Sequence, residues 1–289
     1  MKCRHFGECG SCTLYAVDYA AQVGNKAEKL RKLLAPFYHG EIETHTSPDS
    51  HYRARAEFRI WHEGERCDYA MGNLTKDGSV LIEECPKVLS PIAERMGPLL
   101  EAINDDPLLA HKLFAVEFLS ATTEECLITL LYHRPLDAEW ERKARELEKE
   151  LGASILGRAR KQRLVLSRDY VTEALEIEGR KYLYRHYEGG FTQPNPFVNA
   201  RMITWAREKA RRIGGGDLLE AYCGLEFHDS SGGEFRENSS HRNQQKLHRR
   251  SQRELCSQRS GKHRFRPAEL RGDDIRSPER AEIQSTRRN

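Results

Sequence analysis

The chain has 289 residues, of which 38% are hydrophobic and 31% are charged, and its formal net charge is +3 at pH 7. Its longest apolar runs, such as Cys126–Tyr132, are far shorter than the roughly 20 residues that a membrane-spanning helix needs. The first residues lack the apolar stretch of a secretory signal, so the eight cysteines indicate a reducing, cytoplasmic location. These observations exclude a membrane protein, a secreted disulfide scaffold and a collagen-like fibre.

The composition changes after Gly224. Residues 225–289 contain no Val, Tyr or Trp, and 12 of these 65 residues are Ala, Leu, Ile, Phe or Cys. They carry 15 basic and 10 acidic side chains, a net charge of +5, whereas residues 1–224 carry a net charge of −2. Such a segment buries too little apolar surface to fold alone, so we expect a disordered tail.

Hydrophobic periodicity in the first 224 residues predicts an α+β fold, in which helices cover a mixed, mostly antiparallel sheet. The predicted helices are Leu14–Phe37, Leu89–Ile103, Asp137–Leu151 and Met202–Arg212, the last with Asn195 or Asn199 as its cap. The predicted strands are Tyr52–Trp61, Ser79–Ile82 as its partner, Leu113–Leu119 paired with Cys126–Tyr132, Ser154–Leu156, Arg163–Leu166 and Asp217–Gly224.

Three cysteines at the N-terminus, Cys3, Cys9 and Cys12, have a spacing typical of soft-metal or iron–sulfur ligation. A cluster needs a fourth ligand, and Cys85, which is followed by a proline, is the best candidate. Zinc suits the same thiolates, and unligated cysteines near a chain end are the structural alternative.

The predicted strand Tyr52–Trp61 places Arg53, Arg55 and Arg59 on one face, where guanidinium groups match phosphate oxygens. An equally good alternative is that these arginines simply lie on a strand face exposed to solvent and bind no ligand. A second basic run contains Arg158, Arg160, Lys161 and Arg163. Phe114 and His133 are candidates for stacking on unpaired bases, although each taken singly fits a core or surface position better.

The polar loop Phe191–Asn195 precedes the last predicted helix, and its side chains could reach a cofactor or simply cap that helix. The strand Asp217–Gly224 then enters a glycine turn, as at the start of a doubly wound nucleotide-binding sheet. Cys223, at the end of this strand, is better explained as a small buried residue than as a nucleophile.

Several long blocks of the chain resemble the bacterial tRNA (uracil-5-)-methyltransferase family, which makes 5-methyluridine in the T-loop. The similarity covers nearly all of residues 13–224, and the blocks that carry it are SHYRARAEFRIWHEG, HKLFAVEFL, LLYHRPLDAEW, GRARK, FTQPN and GDLLEAYCG. The resemblance implies an RNA-binding α+β domain followed by a Rossmann-like methyltransferase domain. It also implies tRNA as partner, with neither a membrane nor an obligate protein partner.

By this resemblance Gln193 and Tyr222 contact S-adenosylmethionine, and Arg59, Phe114 and His133 contact the T-loop. The N-terminal cysteines and Cys85 are similar to the 4Fe-4S ligands of related ribosomal uracil-5-methyltransferases. A relative of those ribosomal-RNA enzymes is therefore an alternative, although the blocks fit the tRNA enzymes better.

The chain departs from the family after Gly224, where the family's next helix, its SCNP nucleophile segment and its glutamate base are all missing. If suitable codons are chosen for the residues from Glu226 onward and are read one nucleotide later, they encode stretches that resemble the family. This indicates a frameshift near Gly224–Glu226. We therefore divide the chain into a cysteine-rich segment (1–12), an RNA-binding domain (13–185), the start of a methyltransferase domain (186–224) and a frameshifted tail (225–289). The expected product is inactive alone, and an RNA-binding fragment without catalysis or a misfolded product are the alternatives.

Overall fold

The computed structural model of the chain describes residues 2–14, 16–213, 217–218 and 236–237, the last two pairs by their backbone alone. Its helices are α1 (Tyr19–Leu34), α2 (Ser90–Asp105), α3 (Pro107–Ala110), α4 (Ala138–Leu151) and α5 (Pro196–Ile213). Its strands are β1 (Arg55–Glu63), β2 (Arg66–Gly72), β3 (Ser79–Ile82), β4 (Leu113–Ser120), β5 (Cys126–Tyr132), β6 (Ser154–Ala159), β7 (Gln162–Val165), β8 (Tyr170–Ile177), β9 (Arg180–Tyr187), β10 (Asp217–Leu218) and β11 (Arg236–Glu237).

Seven strands form one sheet in the order β3-β2-β1-β4-β5-β6-β7. All neighbours are antiparallel except β5 and β6, which run parallel because α4 carries the chain back across the sheet between them. The predicted mixed, mainly antiparallel sheet with helices is therefore confirmed. Strands β8 and β9 form a separate hairpin, and β10 pairs in parallel with β11.

Capping side chains set the helix boundaries. Asp137 accepts a hydrogen bond from the Trp140 amide (2.9 Å) at the start of α4, and Gly152 ends the helix in the left-handed conformation (φ 56°). Of the two candidate caps of α5, Asn195 is the cap, because its Oδ1 accepts a hydrogen bond from Val198 N (3.1 Å). Asn199 lies inside that helix.

Several predictions differ from the structure. The first helix begins at Tyr19 rather than Leu14, because Asp18 caps it, and none of its residues is buried. Strand β3 pairs with the unpredicted β2 and not with β1. The hairpin β8–β9 was also not predicted, and the proposed domain boundary at 185/186 falls inside β9. Two residues of the expected disordered tail form β11, whereas the rest of the strand predicted over Asp217–Gly224 lies outside the described residues.

The two faces of the seven-stranded sheet have different surroundings. Helices α2 and α4 cover the first face and bury an apolar core with β1, β2, β4, β5 and β6, which includes Phe58, Ile60, Tyr69, Ile92, Leu99, Phe118, Ile128, Trp140 and Ile155. Burial of each such side chain contributes about 1.5–3 kcal/mol. We call the opposite side the second face. The hairpin β8–β9 covers only part of it, where Val171 of β8 packs against Leu119, Leu127 and Leu156 of the sheet.

Helix α5 is attached to the hairpin rather than to the large core. Ile203 packs against Leu175, Ile177 and Tyr184 of the hairpin. Glu178, in the hairpin turn, forms ion pairs with two arginines of α5, and their hydrogen bonds lower the pKa of its carboxyl group to about 2. Within the described part of the chain, no helix combines the length and the apolar character that crossing a bilayer requires.

Gly157 in β6 is required by the packing of α4 on the sheet. A Cβ at this position would overlap the Trp140 indole and the side chain of Leu136, so we expect Gly157→Ala to lower the free energy of unfolding by about 1–3 kcal/mol. Gly24→Ala is the matched control, because a Cβ at Gly24 meets nothing within 4 Å and alanine favours a helix by about 0.5–1 kcal/mol. Urea denaturation of both variants tests the prediction, and equal stabilities would contradict it.

Candidate functional site

The three arginines predicted on one strand face have three different environments. Arg53 precedes β1, and its Nε donates a hydrogen bond to the Arg55 carbonyl (2.9 Å). Arg55 forms a half-buried ion pair with Glu117 and also donates a hydrogen bond to the carbonyl of Gly190. Arg59 is exposed, and its guanidinium makes no hydrogen bond or ion pair to any residue that the structure describes. Arg59 is therefore the member of this set that is available to an external anion.

The structure brings together the two predicted base-stacking residues. The rings of Phe114 and His133 stack with their centroids 4.4 Å apart and an interplanar angle of 17°. Phe114 lies where the register of β4 against β5 shifts between Leu113 and Ala115, and such a bulge redirects a side chain away from regular packing. Ala115, the neighbour of Phe114, pairs with Arg59 across the strands, so the stacked rings lie next to the position of Arg59 in the sheet.

The second basic run contributes to a buried ion-pair network. The carboxylate of Glu188, with 2% of its side chain exposed, pairs with Arg158 (2.9 Å) and Arg163 (3.1 Å), and Arg163 also pairs with Asp169 (2.8 Å). These contacts attach the end of β9 to β6 and β7. Sequence reasoning missed Glu188, because no local pattern marks a glutamate whose partners come from other strands.

The loop after β9 holds Gln193, the predicted cofactor contact. Its backbone is fixed by Ala54 N, which donates a hydrogen bond to the Pro194 carbonyl (2.8 Å), and by Arg55 at Gly190. The Thr192 hydroxyl is buried without a hydrogen-bond partner among the described residues, and the half-buried Gln193 amide makes no hydrogen bond to them. This anchored loop therefore carries polar groups that are not hydrogen-bonded to any described residue and that a ligand could reach. Tyr222, the other predicted cofactor contact, and Cys223 lie outside the described residues.

The four predicted metal-binding cysteines, Cys3, Cys9, Cys12 and Cys85, line one cavity of about 120 Å³. Two contacts hold the N-terminal segment against the sheet. One is an isolated antiparallel β-bridge between the backbones of Cys9 and Asn73, and the other is a hydrogen bond from Lys87 Nζ to Ser11 Oγ. All four thiols are free. Burial raises the pKa of the Cys3 and Cys85 thiols above their usual value.

The thiols that line this cavity are ligands that suit a soft metal, but the structure does not arrange them around one metal position. Among residues 2–14 and 16–213, no group of three or more His, Cys, Asp or Glu side chains has an arrangement that could hold a metal ion. The structure therefore brings the four thiols to one place without showing a metal centre there.

Comparison with known proteins links these features to a family. Residues 18–229 match the family described as tRNA (Uracil-5-)-methyltransferase. A tRNA/tmRNA (uracil-C(5))-methyltransferase of Sulfurovum sp. (strain NBC37-1) is 58% identical over 226 residues, covering 78% of this chain and 61% of the relative. The corresponding enzyme of Sulfurimonas denitrificans is 45% identical over 225 residues, covering 78% of this chain and 60% of the relative. The chain thus spans about three fifths of the length of these relatives.

One solved structure shares the fold. It is the crystal structure of Pyrococcus abyssi tRNA (uracil-54, C5)-methyltransferase in complex with S-adenosyl-L-homocysteine, with a TM-score of 0.50 and 17% sequence identity. The match covers 72% of this chain and 52% of that one. The mixed sheet with its helices therefore resembles that of a tRNA methyltransferase. Together with the family match over residues 18–229, these similarities show that the chain belongs to the tRNA (uracil-5-)-methyltransferase family.

Proposed function

We propose that the chain is the substrate-recognising part of an S-adenosylmethionine-dependent methyltransferase that forms 5-methyluridine in the T-loop of tRNA. The observation that carries this proposal is the exposed Arg59, which has no partner among the described residues, on the strand next to the stacked Phe114 and His133. The names of the relatives, which include tRNA and tmRNA as substrates, support an RNA substrate.

The geometry suits an unpaired stretch of RNA. A guanidinium without a protein partner can bind a phosphate oxygen pair, and the outer faces of an aromatic stack accept an unstacked base. Arg53 and Arg55 were predicted to contact RNA as well, but their hydrogen bonds and the Arg55–Glu117 ion pair favour a structural role. We therefore assign the phosphate contact to Arg59 and propose that Arg55 orients the loop of Gln193.

The free polar groups at Thr192 and Gln193 fit a polar cofactor, and we propose that Gln193 contacts S-adenosylmethionine together with Tyr222. When bound, this cofactor supplies the methyl group. The role of the described residues is to hold the loop rigidly at the second face, through the hydrogen bonds at Gly190 and Pro194. A preorganised loop does not lose conformational entropy when the ligand binds.

We further propose that this chain alone does not methylate RNA. Methyl transfer to uracil C5 in the family uses a cysteine thiolate as nucleophile and a general base, and the sequence lacks the family's segments for both. We therefore expect this chain to bind RNA without catalysing methyl transfer.

The separation of binding from catalysis can be tested directly. The purified chain, incubated with unmodified tRNA and radiolabelled S-adenosylmethionine, should transfer no methyl group above the no-enzyme background, yet it should shift tRNA in a binding assay. An active full-length relative serves as the positive control for the tRNA. Turnover above background would contradict the proposed inactivity, whereas failure to bind tRNA would contradict the recognition role.

Arg59→Ala is expected to weaken tRNA binding about tenfold, since hydrogen bonds to a charged group contribute about 1.5–3 kcal/mol. The slope of log affinity against log salt should become shallower by about 1, because one phosphate contact is lost. Arg142→Ala is the matched control, since Arg142 is exposed and lies on α4, on the opposite side of the sheet. Binding measured over a salt series tests this, and equal slopes for Arg59→Ala and the unmodified chain would contradict it.

We propose that Cys3, Cys9, Cys12 and Cys85 hold a 4Fe-4S cluster. Their convergence on one cavity supports this proposal, although zinc suits the same donors and the ligand set is not closed in the structure.

Metal analysis decides between these alternatives. Chain purified without oxygen should contain iron and acid-labile sulfide, and Cys85→Ala should lose both. Cys126→Ala is the control, because Cys126 is buried in the large core and does not line the cavity. Zinc without sulfide, or no metal in the unmodified chain, would contradict the iron–sulfur proposal.

A further inference from the structure

Trp61 is a large aromatic side chain at the surface of the sheet, where 49% of it is exposed. Side chains alternate between the two faces along a strand, so Trp61 shares the second face with Glu57 and Arg59, while Phe58 and Ile60 enter the large core. Its indole makes no hydrogen bond, ring contact or cation–π contact with a residue that the structure describes. No polar or aromatic contact within the described chain therefore accounts for this exposed tryptophan.

The neighbours of Trp61 are the residues of the proposed RNA face. The next residue, His62, reaches the carbonyl of Leu113 with its Nε2 (2.7 Å), and Leu113 is followed by Phe114. Trp61 and Phe114 therefore lie on neighbouring strands, just beyond the last registered pair, Arg59 and Ala115. Along β1, Trp61 lies two residues from Arg59, or about 6.8 Å.

The residue opposite Trp61 leaves the indole accessible. Asp68 pairs with Trp61 across the strands, and its carboxylate is bound by the Arg66 guanidinium (3.1 Å) on the same strand. The negative charge of the residue across from Trp61 is thus partly neutralised. An anionic RNA strand can therefore approach the ring with less electrostatic repulsion than an unpaired aspartate would cause.

We propose that Trp61 is a third aromatic contact of the RNA face and stacks on an unpaired base of the bound RNA. This inference rests on the proposed function, because it assumes that Arg59, Phe114 and His133 bind RNA. Every base has a flat π surface, so an indole accepts any of them, and the neighbouring Arg59 is placed for a phosphate of the same strand. The expected ligand is a single-stranded loop and not a base-paired stem.

The intrinsic fluorescence of the chain tests this contact. Its tryptophans are Trp61, Trp140, which is fully buried, and Trp205 on α5, which donates a hydrogen bond to Glu43. In a Trp205→Phe background, an RNA hairpin with an unpaired loop should quench the exposed signal. The same stem as a blunt duplex should not do so.

Affinities of variants for the same hairpin give the second measurement. Trp61→Ala should weaken binding roughly 5- to 100-fold, whereas Trp61→Phe should keep most of the affinity, because a smaller ring still stacks. Trp205→Ala is the matched control, since Trp205 has a similar exposure (40%) but lies on α5, which packs against the hairpin β8–β9, and not on β1 or β4. Urea denaturation of each variant separates a loss of folding from a loss of contact.

The outcomes distinguish the two proposals. If the unmodified chain does not bind the hairpin, the proposed function fails, and the role of Trp61 fails with it. If the unmodified chain binds but Trp61→Ala binds equally well without a change in quenching, the inference is overturned and the proposed function stands. Equal quenching by the duplex would also overturn it, because an indole in the sheet cannot stack inside a paired stem.

Discussion

The alternation of side chains along β1 is the constraint on which the rest of the molecule depends. Phe58 and Ile60 enter the core beneath α2 and α4, and this leaves Arg59 and Trp61 on the second face. A slip of one residue in register would expose the apolar pair and bury the guanidinium. The energy that folds the sheet therefore also fixes which side chains lie on the second face, where we propose that RNA binds.

Partly buried ion pairs connect this face to the loop that carries Gln193. Arg55 pairs with Glu117, and Glu188 pairs with arginines of β6 and β7. Loss of the arginine partners would leave the buried Glu188 carboxylate with an uncompensated charge, which is unfavourable away from water. These contacts consequently attach the end of β9 and the loop of Gln193 to the second face. If the proposed function is right, RNA and cofactor are positioned relative to each other by these charges.

The sequence predicted most of the sheet and the main helices, because apolar periodicity and capping residues such as Asp137 are local signals. It did not predict β8, in which the inward-facing Glu173 interrupts the apolar alternation. Hydrogen bonds that Thr122, on a turn distant in sequence, donates to the Glu173 carboxylate compensate the cost of burying this side chain. The roles of the arginines show the same limit. Alternation places Arg55 and Arg59 on one face, but only the three-dimensional structure shows that Arg55 is paired with Glu117, whereas Arg59 has no partner among the described residues.

The central claim is that RNA binds to the second face of the sheet at the end where β1 meets β4. Hydrogen–deuterium exchange of the chain with and without unmodified tRNA tests this most directly. Exchange should slow at residues 59–62, 112–115 and 131–134 and remain unchanged in α2 and α4, which cover the other face. Protection confined to α2 and α4, or spread evenly over the sheet, would contradict the account.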